Sequence, residues 1–436
     1  MMKVITYGTY DLLHYGHIKL LERAKSLGDY LIVGVTADDF DKTRGKINVQ
    51  QSLEERVAAV QATGIADKVI IEEYEGQKID DIRRYGVDIF TVGSDWEGYF
   101  DYLKEYCEVV YLPRTEGISS SELRTQNNKL KIGLVGYSSF LIKFYKESAF
   151  VNSVDVVGIC VPQEGVLNEI KDDIFYTDDY ADLLNKVDAV YIHSHPMLHY
   201  SLSKIALQQG KHVLCESPIS MKVNEVDELF KMAKEKKLIL MEGIRTAYIT
   251  AYERMLLLLK SGKIGEIVSV DATCTSLNSD ENVGNNTKWG ALEAWGPTTM
   301  LPVFQILGTN ILSSRFFTKK NDEVDYFTKV DFSYESATAT IKVGTGVKSE
   351  GELIVSGTNG YIYVPAPWWK TDYFEIRYEN QTNNKRYFYQ VDGEGIRYEL
   401  VALANAVRNN VPDYHINREV SKSIVSIIEK YKEVRK

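Results

Sequence analysis

The chain has 436 residues, of which 44% are hydrophobic and 26% are charged, and its formal net charge is −10. This composition is that of an ordinary globular protein, and the length predicts two or three domains instead of one core. The acidic balance argues against nucleic acid as a partner and against attraction to an acidic membrane. No apolar stretch approaches the length of a membrane span, and no signal peptide precedes the first predicted strand.

The four cysteines, Cys107, Cys160, Cys215 and Cys274, are widely spaced along the chain. They form neither a CxxC pair nor a cluster with histidine, which argues against disulfides and against a zinc site. We therefore expect four reduced thiols in a cytoplasmic protein.

The first 25 residues predict a strand, a tight turn and a helix. Val4–Tyr7 is apolar and β-branched, Gly8–Asp11 contains turn-type residues, and apolar residues recur at helical spacing from Leu12. His14 and His17 are three residues apart, so both imidazoles point the same way from the first helical turn. The free N–H groups and positive dipole end of a helix N-terminus favour phosphate. Two imidazoles beside them suit a phosphorus centre whose oxygens gain negative charge.

One histidine alone would more often be a structural residue, but an HxGH pair after a strand and a glycine turn is harder to dismiss. The stretch GTYDLLHYGHIKLLERAKSLGDYLIV, together with the later motif Arg114–Ser121, resembles the glycerol-3-phosphate cytidylyltransferases. These enzymes belong to the HxGH nucleotidyltransferase superfamily. The resemblance runs from Met1 to about Gln126.

The resemblance implies which residues form the site and what they bind. It implies four catalytic residues, namely His14, His17, Lys46 and Arg114. The residues implied to bind nucleotide or acceptor are Thr9, Tyr10, Asp11, Gly16, Arg44, Arg56, Asp95, Trp96, Thr115, Gly117, Ile118, Ser119, Ser120 and Ser121. Asp11 is also the candidate ligand for Mg²⁺, which prefers carboxylate and phosphate oxygens. Arg44 stands where the family more often has lysine, which keeps the charge but changes the geometry.

Some of these stretches also carry signals of their own. Ser52–Glu55 and Ser119–Glu122 each match a capping box, the pattern that begins a helix. The second box would aim free N–H groups at the site, and Arg114 adds a fork suited to phosphate. The charged loop Asp41–Lys46 would by itself indicate a solvated surface. Core packing is an equally good interpretation of Trp96 taken alone.

The pattern of strands and helices restarts at Lys131, after the polar stretch Thr125–Lys129. Alternating strands and helices predict parallel α/β sheets with right-handed crossovers. Nearly all of 131–436 resembles the glucose-fructose oxidoreductase/inositol dehydrogenase (Gfo/Idh/MocA) family. The motifs that carry this likeness are Gly210–Pro218, Ser261–Glu266, Gly290–Gly296 and Gly393–Glu399.

The two resemblances together imply an α/β protein of three domains. We expect a Rossmann-like HxGH nucleotidyltransferase domain at 1–128 and a Rossmann-like domain of the dinucleotide-binding type at 131–248. An α/β domain with an open sheet is expected at 249–436. Ligands of such parallel sheets lie beyond the carboxyl ends of the strands.

The second half departs from its family where a cofactor would bind. The candidate cofactor-binding residues are Gly133, Gly136, Ser138 and Glu216. A dinucleotide fingerprint needs glycines for close approach of the pyrophosphate. Here Ser138 replaces one glycine and bulky Phe140-Leu141 follows. The acidic residue expected after the second strand, which would hold a ribose hydroxyl, is absent.

The groups that would move a proton are also missing. The family's Glu-Lys-Pro is Glu216-Ser217-Pro218 here, and Ala294 and Thr298 occupy the slots of the family's aspartate and histidine. Hydride transfer from an alcohol needs a group that takes the hydroxyl proton. His195 and His199 are candidates, although a structural role is the stronger interpretation. These departures argue against NAD(P) as a working cofactor. Four tryptophans could line the old pocket or pack the core, namely Trp289, Trp295, Trp368 and Trp369.

Three functions stay in competition. The first is transfer from CTP to sn-glycerol 3-phosphate, giving CDP-glycerol for teichoic acid or capsule synthesis, with an inactive second half. The second is a bifunctional enzyme whose second half reduces a keto-polyol phosphate with NAD(P)H. The third is a sensor or scaffold without activity. Glycerol 2-phosphate and ATP are the alternative substrates, and a homo-oligomer is expected from both families.

Overall fold

The computed structural model describes most of the chain, in two compact units. The described residues are 2–13, 15–37, 49, 51–74, 76–113, 129–136, 140–161, 170, 174–277, 289–321, 324–389, 391, 393–413 and 415–435. The first unit comprises Met1–Lys129 and the second comprises Leu130–Lys436. None of the described helices combines the length and the apolarity that a membrane span requires.

The first unit is a five-stranded parallel sheet with helices between its strands. Its strands are β1 (Lys3–Gly8), β2 (Tyr30–Thr36), β3 (Lys68–Glu72), β4 (Ile89–Gly93) and β5 (Glu108–Leu112). Its described helices are α1 (Tyr15–Ser26), α2 (Leu53–Ala62) and α3 (Gln77–Tyr85), with 3-10 segments at Ser94–Trp96 and Asp101–Glu105. The strand order is β3-β2-β1-β4-β5, and every pair is parallel. The predicted α/β class is confirmed.

Successive side chains of β1 pack into two separate hydrophobic cores, one on each face of the sheet. Val4 packs with Leu21 of α1 and Val60 of α2. Its neighbour Ile5 packs on the other face with Ile82 of α3. Successive strand residues point to opposite faces, so a parallel sheet buried on both sides reads as a continuous apolar run. The carboxyl ends of the strands are thereby left at one edge, where ligands of such sheets lie.

Two helix starts in the first unit show how local sequence decides the boundaries. The Ser52 hydroxyl accepts a hydrogen bond from the Glu55 N–H, and the Glu55 carboxylate accepts one from the Ser52 N–H, so the predicted capping box is confirmed. The predicted start of α1 at Leu12 is wrong, because α1 begins at Tyr15. Leu12 has a φ of 48°, which is incompatible with a right-handed helix.

The second unit contains a second parallel sheet, of six strands. These are β6 (Leu130–Gly136), β7 (Val154–Cys160), β8 (Phe175–Thr177), β9 (Ala189–His193), β10 (His212–Glu216) and β11 (Leu240–Gly243). The helices beside it are α4 (Phe140–Ser148), α5 (Tyr180–Leu184), α6 (Pro196–Gln208) and α7 (Val223–Lys236). The order β11-β10-β9-β6-β7-β8 is Rossmann-like. Helix α6 begins six residues before its predicted start at Leu202, because His195 caps it and Pro196 fits the first helical position.

An eight-stranded mixed sheet completes the second unit. Its strands are β12 (Ile267–Ser276), β13 (Ser313–Asn321), β14 (Val324–Ser333), β15 (Thr338–Thr345), β16 (Leu353–Gly357), β17 (Gly360–Val364), β18 (Tyr373–Arg377) and β19 (Lys385–Phe388). The remaining helices are α8 (Thr250–Lys260), α9 (Ala291–Leu307), α10 (Ile396–Asn409) and α11 (Arg418–Arg435). The order is β13-β14-β15-β12-β16-β17-β18-β19, and β12 and β15 pair in parallel. The division of the chain at 248/249 stays a prediction.

Candidate functional site

The turn between β1 and α1 has an unusual backbone. Tyr10 has a φ of 53° and Leu12 a φ of 48°, and neither residue is glycine. Left-handed backbone costs roughly 1–2 kcal/mol for each ordinary L-residue. Such a conformation persists only where surrounding contacts determine it, and it is common at functional sites.

Asp11 and Gln51 hold this turn by two reciprocal hydrogen bonds. The Asp11 carboxylate, which is 1% exposed, accepts a bond from the Gln51 backbone N–H at 2.9 Å. The Gln51 side-chain Oε1 accepts a bond from the Leu12 N–H at 2.7 Å. The segment just before α2 therefore fixes the two residues that follow Tyr10.

Arg56 supports the same turn from below. Its guanidinium is fully buried, and Nη1 donates to the carbonyl oxygens of Thr9 at 2.7 Å and Thr36 at 2.8 Å. Its Nε donates to the carbonyl oxygen of Gln51 at 3.2 Å. These contacts join the ends of β1 and β2 to the start of α2. A contact between Arg56 and substrate stays a prediction.

His17 lies in the first turn of α1, after Gly16, and packs against Tyr10. The two rings meet edge to face, with centroids 5.5 Å apart and an interplanar angle of 71°. Burial raises the pKa of the Tyr10 hydroxyl, an effect that the Thr6 hydroxyl partly offsets. Tyr10 therefore stays protonated and serves as packing for the imidazole instead of a proton carrier. Gly8 leaves space for the Tyr10 ring, since a Cβ on residue 8 would lie 3.0 Å from that ring.

A buried ion pair lies at the carboxyl end of β3. Lys78 and Glu72 are 7% and 1% exposed, and the Lys78 ammonium contacts the Glu72 carboxylate. Thr36 Oγ1 donates to the other oxygen of Glu72 at 3.0 Å. The ammonium also lies 4.7 Å from the centre of the Tyr7 ring, whose hydroxyl donates to Asp81 at 2.9 Å. This network links three neighbouring strand ends, because Tyr7, Thr36 and Glu72 belong to β1, β2 and β3.

The segment after β4 carries two of the predicted nucleotide-binding residues. Asp95 and Trp96 lie in the 3-10 segment directly after β4, at the carboxyl edge of the sheet. The Trp96 ring packs against Tyr99 and Phe100, with centroids 5.4 and 5.9 Å away. It is still 37% exposed, so the structure does not support core packing for this tryptophan.

The two glycines of the dinucleotide fingerprint in the second unit are needed for packing. A Cβ on Gly133 would lie 2.9 Å from the Leu183 side chain. Gly136 has a φ of 142°, and a Cβ there would collide with the carbonyl oxygen of His193. Both positions require glycine whether or not a dinucleotide binds, so their presence is no sign of a cofactor.

The start of α4 is occupied by stacked side chains. Phe140 stacks on His193, with centroids 4.9 Å apart and an interplanar angle of 16°. The Arg245 guanidinium lies 4.4 Å from the centre of the same ring. The next residue, Leu141, is fully buried where the fingerprint needs glycine for close packing. The described residues therefore do not fit the glycine cradle of a dinucleotide pyrophosphate.

The residue at the family's lysine position is turned toward a buried acid. Ser217 Oγ donates to Glu242 Oε1 at 2.5 Å, and the Ile219 N–H donates to the same oxygen at 3.0 Å. Burial raises the pKa of Glu242, an effect that these donors partly offset. Glu216, the preceding residue, accepts a hydrogen bond from the Tyr191 hydroxyl at 2.5 Å. The Ser217 hydroxyl thus pairs with the buried carboxyl group of Glu242.

The candidate replacement histidines have structural partners. The His199 ring nitrogens lie 2.8 Å from the Pro218 carbonyl oxygen and 3.0 Å from that of Ser194. Burial lowers the pKa of His199 to about 4, although the two backbone carbonyls act in the opposite direction. His195 Nδ1 accepts the Met197 N–H at 3.3 Å and caps α6. The structural interpretation of both residues is the one that these contacts support.

The four tryptophans also lie in packed surroundings. Trp368 is fully buried and donates to the Thr273 carbonyl oxygen at 3.0 Å. Trp295 and Trp369 have centroids 5.5 Å apart, and Trp289 meets His195 edge to face at 5.2 Å. All four cysteines are free thiols in the structure.

Comparison with known proteins assigns the first unit. A family model described as cytidylyltransferase-like matches residues 5–126. Glycerol-3-phosphate cytidylyltransferase of Bacillus spizizenii W23 is 53% identical over 124 residues, which cover 28% of this chain and 95% of that protein. Through its first unit, the chain belongs to the glycerol-3-phosphate cytidylyltransferase family. The enzyme of the same name from Staphylococcus aureus NCTC 8325 is 50% identical over 126 residues, covering 29% of this chain and 95% of that protein.

Comparison also confirms the second resemblance. A model described as an oxidoreductase family with an NAD-binding Rossmann fold matches residues 130–244. UDP-N-acetylglucosamine 3-dehydrogenase GnnA of Acidithiobacillus ferrooxidans aligns with a TM-score of 0.60 at 14% identity, over 70% of this chain and 96% of that one. The 3-ketoreductase KijD10 of Actinomadura kijaniata, solved with NADP, aligns with a TM-score of 0.60 at 19% identity, over 69% of this chain and 96% of that one. At these identities the likeness shows the fold alone.

Part of the predicted site lies outside the described residues. These positions are His14, Arg44, Lys46, Arg114, Thr115, Gly117, Ile118, Ser119, Ser120, Ser121 and Ser138. Their roles stay predictions. Within the described part, Thr9, Tyr10 and Asp11 lie in the turn after β1, and Arg56 donates to the carbonyl oxygen of Thr9. Gly16 and His17 lie in the first turn of α1.

Mg²⁺ usually binds through one or two carboxylates together with the phosphate oxygens of a substrate. In the described part of the chain, no three or more histidine, cysteine, aspartate or glutamate side chains form a group that could hold a metal ion. Asp11 is almost fully buried and already accepts a backbone N–H. Asp11 as a ligand of Mg²⁺ therefore stays a prediction.

Several functional residues carry no signal in the sequence. From the sequence alone, Glu72 and Lys78 would be interpreted as ordinary surface charges. Their spacing does not show that both side chains are buried. Gln51 could have been noticed, since it directly precedes the predicted capping box at Ser52. Only the fold shows that its side chain reaches back to the turn.

Proposed function

We propose that the first unit transfers a cytidylyl group from CTP to a small polyol phosphate, with sn-glycerol 3-phosphate as the acceptor. The products are CDP-glycerol and pyrophosphate. One observation carries the proposal: the turn that leads to His17 is held at the carboxyl edge of a parallel sheet, in a unit 53% identical to a glycerol-3-phosphate cytidylyltransferase over 95% of that protein.

The reaction needs positioning and charge neutralisation more than covalent chemistry. An oxygen of the acceptor phosphate attacks the α-phosphorus of CTP, and the bond from that phosphorus to the pyrophosphate oxygen breaks. Negative charge grows on the pyrophosphate and on the oxygens of the α-phosphorus. His17, with His14 as its predicted partner, donates hydrogen bonds to these oxygens. The N-terminus of α1 adds the positive end of the helix dipole, which favours the same negative charge.

The remaining site residues serve this geometry. Lys46, Arg44 and Arg114 neutralise the phosphates, and Ser119–Ser121 of the predicted capping box add hydrogen-bond donors. Asp95 and Trp96 lie at the nucleotide pocket. Mg²⁺ would accompany the triphosphate, with its ligands coming mainly from phosphate oxygens and water. A homo-oligomer and a cytoplasmic location belong to the same proposal.

For the second unit we propose a retained fold without ordinary dehydrogenase chemistry. The buried Ser217–Glu242 hydrogen bond supports this, as do the packed Phe140 and the packing roles of Gly133 and Gly136. No contact of a described residue favours the bifunctional alternative over this one. Titration with NADH and NADPH should give no binding at millimolar concentration, and saturable binding would restore the alternative.

A pyrophosphate-release assay tests the proposal directly. CTP and ATP are each combined with sn-glycerol 3-phosphate, glycerol 2-phosphate and a longer polyol phosphate. We expect release with CTP and sn-glycerol 3-phosphate, and its loss in His17→Ala without loss of the folded circular dichroism spectrum. Full activity in His17→Ala would contradict the site, and no release with any pair would favour a sensor or scaffold.

A further inference from the structure

Gln51 contacts the turn before α1 with both its backbone and its side chain. The backbone N–H donates to the Asp11 carboxylate at 2.9 Å, and the side-chain Oε1 accepts the Leu12 N–H at 2.7 Å. Its carbonyl oxygen accepts from Arg56 Nε at 3.2 Å. Two of these bonds thus reach the segment that leads to the HxGH helix, and the third joins Gln51 to Arg56.

This segment needs such contacts because its backbone does not favour its own conformation. Tyr10 and Leu12 both have positive φ angles, near 50°. Without an outside acceptor for the Leu12 N–H, the turn can relax to more common angles. Relaxation there would rotate the start of α1, and His17 with it.

We propose that Gln51 is a positioning residue for nucleotidyl transfer, which fixes the entry angle of α1 and so the imidazole of His17 relative to the α-phosphorus. The inference rests on the proposed function of the first unit. Gln51 touches no reacting atom and acts through Asp11 and Leu12. In this proposal, the Asp11 carboxylate anchors the turn to the backbone of Gln51.

The side-chain amide of Gln51 is not needed for the fold of α2. That helix begins with a complete capping box between Ser52 and Glu55. Removing the amide therefore leaves α2 capped and changes the support of the turn alone. This separation makes the positioning role testable apart from stability.

The experiment compares three variants of the full chain. Gln51→Met keeps the length of the side chain but removes the acceptor. Gln51→Glu keeps an acceptor for the Leu12 N–H. Gln61→Met, on the exposed side of α2, is the matched control. Each is measured for kcat and KM by pyrophosphate release, and for amide exchange of the segment 9–13 by mass spectrometry.

We expect Gln51→Met to lower kcat by roughly 10- to 100-fold, because small displacements of reacting groups have effects of this size. Its KM for CTP should change by less than about threefold, since binding of the ground state is not affected. The segment 9–13 should exchange faster in Gln51→Met than in wild type. Gln51→Glu should recover most of kcat, and Gln61→Met should match wild type.

A wild-type kcat in Gln51→Met, or a raised KM at unchanged kcat, would overturn the positioning role. Unchanged exchange of the segment 9–13 would overturn the contact itself. If wild-type protein releases no pyrophosphate from CTP, the proposed function fails separately. The exchange comparison then still decides whether Gln51 holds the turn.

Discussion

The Nη1 atom of Arg56 donates a 2.7 Å hydrogen bond to the carbonyl oxygen of Thr9. The bond joins the first turn of a helix to the end of β1, across 47 residues of sequence. The family resemblance assigns Arg56 to the substrate, whereas its described contacts support the turn beneath the site. A buried arginine in this position makes the geometry of the HxGH turn depend on the packing of α2.

Replacing Arg56 should therefore affect stability as well as activity. Arg56→Met leaves three backbone carbonyls without their donor, and each lost buried partner costs about 1–3 kcal/mol. We expect a lower calorimetric unfolding temperature for the first unit and a large fall in kcat. Arg56→Lys keeps a single donor group, so its unfolding temperature and kcat should lie between those of wild type and Arg56→Met. Wild-type stability in Arg56→Met would show that the bonds to Thr9 and Thr36 contribute nothing.

His415 in the second unit should make the protein less stable at alkaline pH. Its ring nitrogens lie 2.5 Å from Asp413 Oδ1 and 2.7 Å from Glu253 Oε1. Burial alone would lower the pKa of His415, but these two carboxylates outweigh it and raise the pKa to about 9 from the usual 6.5. The raised pKa stabilises the fold fully below pH 6.5, and this contribution is lost as the pH rises through 9.

The expected contribution of His415 is on the order of 2–3 kcal/mol. Urea unfolding of wild type should weaken between pH 7 and pH 9.5, and His415→Gln should lack most of that decline. Equal declines in the two proteins would contradict an ion-paired histidine at this position.

Glu399 should also lower stability as the pH rises, because it is a buried acid whose ionised form opposes folding. The side chain is fully buried, and neither carboxylate oxygen has a hydrogen-bond partner among the described residues. Burial raises the pKa of Glu399 well above its usual value, and the nearby Glu216 adds to this. Because the unfolded state loses this proton first, stability falls as the pH rises above about 4.5, toward the folded pKa.

Glu399→Gln removes this ionisation and nearly preserves the shape of the side chain. We expect its unfolding temperature relative to wild type to be higher at pH 8 than at pH 5. A difference that does not change with pH would show that Glu399 is ionised in the folded protein.

Gly136 should be more costly to replace than a glycine in open space. Gly136→Ala places a Cβ against the His193 carbonyl oxygen at a positive φ. Gly210 also has a positive φ, but a Cβ there meets no atom within 4 Å. Gly210→Ala should therefore cost about 1 kcal/mol from backbone strain alone. Gly136→Ala should cost clearly more in urea unfolding, and equal costs would contradict the packing role.

The sequence predicts most of the fold because its signals are local. Apolar runs and capping boxes mark the strands and helices of the first unit, and Ser52 is a clear case. The predicted start of α1 is wrong because Leu12 has a positive φ, and the N–H of Leu12 donates to Gln51, which is 39 residues away. The burial of Arg56 and Lys78 also cannot be predicted from the sequence, because a charged residue is buried only when the fold supplies its partners.

From the sequence, motifs could identify which residues belong to the candidate site. They could not show which tertiary contacts hold those residues in place. The HxGH pattern indicates which residues surround a phosphate, but not that Gln51 and Asp11 hold their backbone. In the second unit, the sequence showed that Ser217 replaces a lysine. That its hydroxyl turns toward Glu242 depends on a tertiary contact 25 residues away.

The most direct test of the central claim is a crystal structure of the protein with CTP bound. We predict that the α- and β-phosphates lie at the first turn of α1, within hydrogen-bonding distance of His17, above the turn held by Asp11, Gln51 and Arg56. A nucleotide bound elsewhere, with the His17 ring directed into the core, would contradict the account.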